Sequence, residues 1–87
     1  MDLILQPHSY EVTGPFRRHR VFLERREGST WVITTGGNSV LNVMGEFEVE
    51  PQPSSRTDEF RIRTRFSDPR YALYNFEHHL PKFGPHW

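Results

Sequence analysis

Glu46-Phe47-Glu48-Val49-Glu50 and, after a polar connection, Phe60-Arg61-Ile62-Arg63-Thr64-Arg65-Phe66 alternate residue by residue between apolar and charged. Period two is the pattern of a strand with one face buried and one in water. The spacing predicts two adjacent antiparallel strands with Phe47, Val49, Phe60, Ile62 and Phe66 inside. Three carboxylates would then stand against three guanidiniums on the outer face. Opposite charges across a ladder contribute roughly 0.2–1 kcal/mol each, and a one-residue slip would bury them. On this reading the charges fix the register.

Working outward, Val21-Phe22-Leu23-Glu24-Arg25-Arg26 and Thr30-Trp31-Val32-Ile33-Thr34-Thr35 flank Glu27-Gly28-Ser29. Two β-type runs around a short Gly-containing turn predict a hairpin, with a loop of two or three residues and so an unassigned register. Val21, Leu23 and Phe22 cannot all point inward, so both faces of this hairpin carry apolar groups. One face needs a cover beyond the main core: the helix, the N-terminal arm or a second subunit. Residues 2–6 read as a first strand closed by Pro7, and residues 8–13 as a second strand or an extended arm. Gly14-Pro15 and Gly36-Gly37-Asn38 are turn signals. Residues 39–50 read as one long strand bent or bulged at Gly45, with a helical turn over residues 39–44 as the alternative.

Ser67-Asp68-Pro69 carries a capping side chain followed by a first-turn proline. Leu73, Phe76 and Leu80 follow at helical spacing with Tyr71 and Tyr74 beside them, and Pro81 ends the pattern. Three turns of helix are too few to stand alone, so this helix must dock on the sheet. The fold class expected is α+β: an antiparallel meander of four to six strands with one C-terminal α-helix packed on one face. It would form a single small β-rich domain over residues 1–87, with a short mobile tail over residues 81–87 unless Trp87 folds back.

Hydrophobic residues are only 34% of the 87, but aromatic residues are 14%, which raises the area buried per apolar side chain. There is no cysteine, hence no disulfide, thiolate nucleophile or Cys-based zinc site. Neither a signal-peptide pattern nor a run of about 20 apolar residues is present, so a soluble cytoplasmic protein without membrane contact is expected. Eleven basic residues balance eleven acidic ones. Ten of the bases are Arg, through either GC-rich coding or a use for bidentate guanidinium contacts.

His78 and His79 with His86 are the histidines closest to a metal-site spacing, but adjacent helix residues diverge by about 100° and the His-Glu-x-x-His and His-x3-His spacings are absent. Glu46, Glu48 and Glu50 read as a solvated ladder rather than acid–base catalysts, and the serines lack a nucleophile motif. No catalytic residue, cofactor or metal is expected. The function this composition suits is a non-enzymatic protein-interaction or regulatory module working through a sheet surface or edge with Arg and aromatic contacts. Its partner would be another protein or a second copy of the chain as a homodimer. The alternative is a nucleic-acid binder using the basic runs at Arg17–Arg20 and Arg61–Arg65; the zero net charge weighs against it. The candidate interaction residues on either reading are Arg17, Arg18, Arg20, Phe22, Arg26, Trp31, Arg61, Arg63 and Arg65.

Overall fold

The computed structural model describes residues 8–84 and 87; the strand expected over residues 2–6, and His86, lie outside them. β-branched and aromatic runs form the strands β1 (Ser9–Val12), β2 (Val21–Arg26), β3 (Thr30–Thr34), β4 (Ser39–Leu41) and β5 (Phe47–Val49). Among the described residues they make one antiparallel sheet in sequential order, β1-β2-β3-β4-β5. Two helices follow, α1 (Asp58–Thr64) and α2 (Pro69–His79). The expected meander and C-terminal helix are therefore present, and the class is α+β.

The hairpin register is Leu23 opposite Ile33 and Arg26 opposite Thr30, around a three-residue turn at Glu27–Ser29. Alternation then sorts the side chains. Val21, Leu23, Ile33 and Leu41 face α2, where they bury Ala72 and Phe76. Val32 and Val40 point to the opposite face, where Phe60 of α1 covers them. Val32, on the second face of the hairpin, is thus covered within the chain, and Phe22 on the same face is half-buried.

That cover comes from the segment whose alternation predicts a strand. Residues 58–64 are helical, and only Phe66, in an isolated bridge to Trp31, is extended and paired. Val49 and Ile62, expected inside, are 75% and 77% exposed. The helix begins where Thr57 accepts a hydrogen bond from the Phe60 amide at 3.1 Å, and Asp58 and Glu59 lie in its first turn, where the helix dipole favours acids. Phe60 and Thr64, four residues apart, share the buried stripe.

Residues 39–50 are two strands rather than one bent strand. A turn over residues 42–46 reverses the chain, so that Leu41 lies opposite Phe47. Asn42 is buried and accepts from the Met44 and Glu46 amides at 3.0 Å each. Gly45 has φ +83 and lies flat against the His79 ring, where a Cβ would overlap it. Both a left-handed backbone and the close approach require glycine there. Val43 joins the two helices: its amide donates to the Arg63 carbonyl at 2.8 Å, and its carbonyl accepts from His79 Nε2 at 3.2 Å.

Asp68 caps α2, accepting from the Arg70 amide at 2.8 Å, as the sequence predicts. Beyond α2 a 3-10 turn (Leu80–Phe83) brings Phe83 under Trp87, their ring centroids 4.6 Å apart. Trp87 is folded back, also stacking on Phe47 and His19. Its carbonyl accepts from the Arg17 and Arg18 amides at 2.7 and 2.9 Å.

Phe76 and Phe60 are 1% and 3% exposed on opposite faces of the sheet. Truncation of either to alanine should cost about 3–5 kcal/mol, measured by urea unfolding. A loss below about 1 kcal/mol for Phe60→Ala would show that α1 does not seal the second face.

Candidate functional site: an apolar groove beside the edge strand

Strand β1 is an edge of the sheet, with β2 on one side of it and no strand of the described residues on the other. The His8 carbonyl accepts from the Arg25 amide at 2.8 Å, which makes that pair hydrogen-bonded. By alternation Tyr10–Leu23 and Val12–Val21 are hydrogen-bonded pairs too. The backbone groups of Ser9 and Glu11 consequently point away from β2.

Beside this edge, on the α2 face, lies a groove of about 400 Å³. Leu23 forms its floor, Tyr10, Val12 and Trp31 one wall, and Pro69, Arg70 and Leu73 the other. Its position follows from how α2 starts. The backbones of Trp31 and Phe66 exchange two hydrogen bonds, 2.7 and 2.9 Å, which tie the approach to α2 onto β3. The Asp68 cap and Pro69 then set the first turn over β2 and β3, leaving the β1 side of that end uncovered. Tyr10 is 45% exposed, its ring centroid 6.2 Å from that of Trp31. Charges touch only the rim. Arg70 folds back on its own cap, its guanidinium 2.9 Å from Asp68, and Glu11 takes a bidentate hydrogen bond from Arg20.

Most of the predicted interaction residues are engaged elsewhere. Arg26, Arg61, Arg63 and Arg65 lie on the α1 face or its rim and bond to carboxylates of their own chain. Arg65 reaches Glu50 at 2.6 Å and Glu27 at 3.1 Å. Arg26 meets Glu50 at 2.9 Å and Glu24 at 3.0 Å. Arg63 meets Glu48 at 2.7 Å, and Arg61 meets Asp58 and Glu27 at 3.4 and 3.5 Å. Arg63 and Arg65 also lie over the Phe60 ring, 5.5 and 5.3 Å from its centroid. Arg20 is bound to Glu11 and covers Phe22 at 5.2 Å. Trp31 alone of the nine lines the groove. Arg17 and Arg18 are exposed, in the loop before β2 that the Trp87 carbonyl anchors. Tyr10, Val12, Pro69 and Leu73 are absent from the sequence-derived set; the alternation of Tyr10 with Val12 was the only local sign of them.

No protein-family model, curated protein or solved structure matches the chain. Among the described residues no helix is long and apolar enough to cross a membrane, and no three His, Cys, Asp or Glu side chains are grouped to hold a metal.

The carboxylates of the ion-pair network are shifted together. For Glu50, burial pushes the carboxyl up, but hydrogen bonds and charge from Arg26, then Arg65, outweigh it and leave the group below its ordinary 4.5. Glu48 is lowered chiefly by the hydrogen bond from Arg63, against partial burial, with help from the Asn42 amide. A carboxylate held below its ordinary value stabilises the fold fully above that value and loses the contribution as pH falls through the folded value. Unfolding free energy should therefore fall from about pH 4.5 downward, and Glu50→Gln should flatten that slope; an unchanged slope would remove Glu50 from the account. At neutral pH, Arg65→Ala should cost about 3–5 kcal/mol, because its side chain is 4% exposed and Glu50 would lose a buried partner. Arg20→Ala, at an exposed pair, should leave the stability nearly unchanged. Equal losses in urea titrations would contradict this division of the arginines.

Proposed function

We propose that this chain is a small, non-catalytic protein-interaction module that binds an extended peptide segment by adding it as a strand to the free edge of β1. The observation that carries this reading is the coincidence, side by side, of an edge that no strand of the described residues pairs and an apolar groove. Main-chain hydrogen bonds to Ser9 and Glu11 would supply affinity, and alternate side chains of the added strand would enter the groove between β1 and α2. A volume of about 400 Å³ falls within the range of concave ligand sites, and Trp31 and Tyr10 are residue types that dominate interface energetics. The nucleic-acid reading is weaker. It draws on Arg17–Arg20 and Arg61–Arg65, and of these Arg20, Arg61, Arg63 and Arg65 are bonded to Glu11, Asp58, Glu27, Glu48 and Glu50.

Selection from a random-peptide display library against the purified chain tests the proposal. Enriched peptides should share apolar residues two apart, and binding should slow amide exchange at Ser9 and Glu11. Tyr10→Ala, with an unchanged far-ultraviolet circular dichroism spectrum, should weaken the selected peptides by about tenfold or more. Failure to enrich any peptide, or enrichment indifferent to Tyr10→Ala, would overturn the groove as the binding site.

A further inference from the structure

The surroundings of Trp87 are built like an occupied binding site. Its ring lies near-parallel to those of His19 and Phe83, with centroids 4.3 and 4.6 Å away, and to that of Phe47 at 5.4 Å. Its carbonyl oxygen accepts from two successive amides, Arg17 and Arg18, at 2.7 and 2.9 Å. Successive main-chain N–H groups converging on one oxygen form a nest, an arrangement that captures carboxylates. The same two residues carry guanidiniums that meet no Asp or Glu side chain of the described residues. The ammonium of Lys82, next to Phe83 in the chain, meets none of them either.

The walls are joined to one another without their occupant. Phe16 packs edge-on to Phe76 with centroids 5.5 Å apart, Phe47 meets Phe83 at 5.5 Å, and Phe83 meets Phe76 at 6.1 Å. Phe76 is almost fully buried, and Phe47 is fixed opposite Leu41 in the sheet. These contacts link the loop before β2, β5, α2 and the 3-10 turn, and none of them passes through Trp87. Trp87 itself is half-buried and belongs to no strand or helix. It is held by ring contacts, by the two bonds to its oxygen, and by a long bond of 3.5 Å from its amide to the Gly84 carbonyl. A residue held in this way can leave without breaking a strand or a helix, and another of the same chemistry can take its place.

We infer that this pocket is a receptor for an aromatic residue bearing a free main-chain carboxylate, presented by a partner protein, and that Trp87 competes for it in cis. The ring supplies buried area, and the nest with its neighbouring cations supplies a preference for an anion over a neutral carbonyl. None of the ring walls lines the groove beside β1, so this inference stands apart from strand addition. A short tether holds the cis occupant at an effective concentration on the order of millimolar, which a partner in trans must overcome.

The test uses the full chain with Trp87→Ala, which empties the pocket. The probe is the peptide acetyl-Gly-Pro-His-Trp with a free carboxylate, followed through the amide resonances of Arg17 and Arg18. It should shift both in a saturable way and bind the variant about tenfold or more tighter than the wild-type chain. Amide-capping the probe should weaken it about tenfold or more, and replacing its tryptophan by alanine should abolish binding. Added salt should narrow the gap between the carboxylate and amide forms. If Trp87→Ala does not fold alone, the probe should restore its circular dichroism spectrum, and failure at millimolar probe would overturn the inference. A folded variant with no shift at Arg17 and Arg18, or equal binding of the amide-capped probe, would also overturn it. Equal affinity for variant and wild type would do the same, since Trp87 would then not compete. Binding that Tyr10→Ala removes from the variant would place the probe in the groove and overturn it too.

Discussion

The Glu50 carboxylate ties together three segments that lie apart in the chain: the end of β2, its own connection from β5 to α1, and the residue after α1. It takes guanidinium nitrogens from Arg26 at the end of β2, Arg65 just after α1, and Arg56 in the connection from β5 to α1, at 2.9, 2.6 and 3.6 Å. Its side chain is 9% exposed. A charge at that depth is tolerable only with partners on every side, and the partners can reach it only if α1 lies across the back of the sheet. The same arrangement puts Phe60 over Val32 and Val40. Apolar contact supplies the cohesion of the second face, and the ion pairs fix where α1 sits. In an 87-residue chain with a small core, a two-turn helix is too short to hold a position unaided.

The charge complementarity between the glutamate and arginine runs was legible in the sequence, and its geometry was not. Arg63 pairs with Glu48 and Arg65 with Glu50, whereas an antiparallel ladder with Arg63 opposite Glu48 would have set Arg61 against Glu50. A helix laid across a strand matches the two runs of charge in a different order. Phe60-Arg61-Ile62-Arg63-Thr64 fits period two, but Phe60 and Thr64 also fit a helical stripe, and over seven residues periodicity cannot separate the two. The ends decide it. Thr57 as cap, Asp58 and Glu59 in the first turn and basic residues in the last are helix signals, and they outweigh an alternation that leaves Ile62 in solvent. The β2–β3 hairpin and α2 were legible because each rests on local chemistry: a glycine turn between β-branched runs, and a capped proline start.

The groove was illegible for a different reason. Tyr10, Trp31 and Leu73 come from three elements, and nothing local in any of them marks a shared cavity. The arginines drew attention as a class, yet their availability depends on where the carboxylates end up, which only the tertiary structure settles. Trp31 was picked as an aromatic on a strand; its place in a cavity wall follows from the Phe66 bridge and the start of α2.

The aromatic residues explain why the open site lies where it does. Phe16, Phe47, Phe76, Phe83 and Trp87 pack against one another at the end of the sheet where α2 terminates. A chain with 34% hydrophobic residues has few left for the other end, where Tyr10, Trp31 and Leu73 face each other across a gap. Edge strands are liabilities, and this one is blunted in the usual ways: β1 is four residues long and carries the Glu11–Arg20 pair. Those devices discourage a long, flat self-association without blocking a short added strand. The half-covered groove is then a consequence of where the core was completed, and it lies beside an edge that no strand of the described residues pairs.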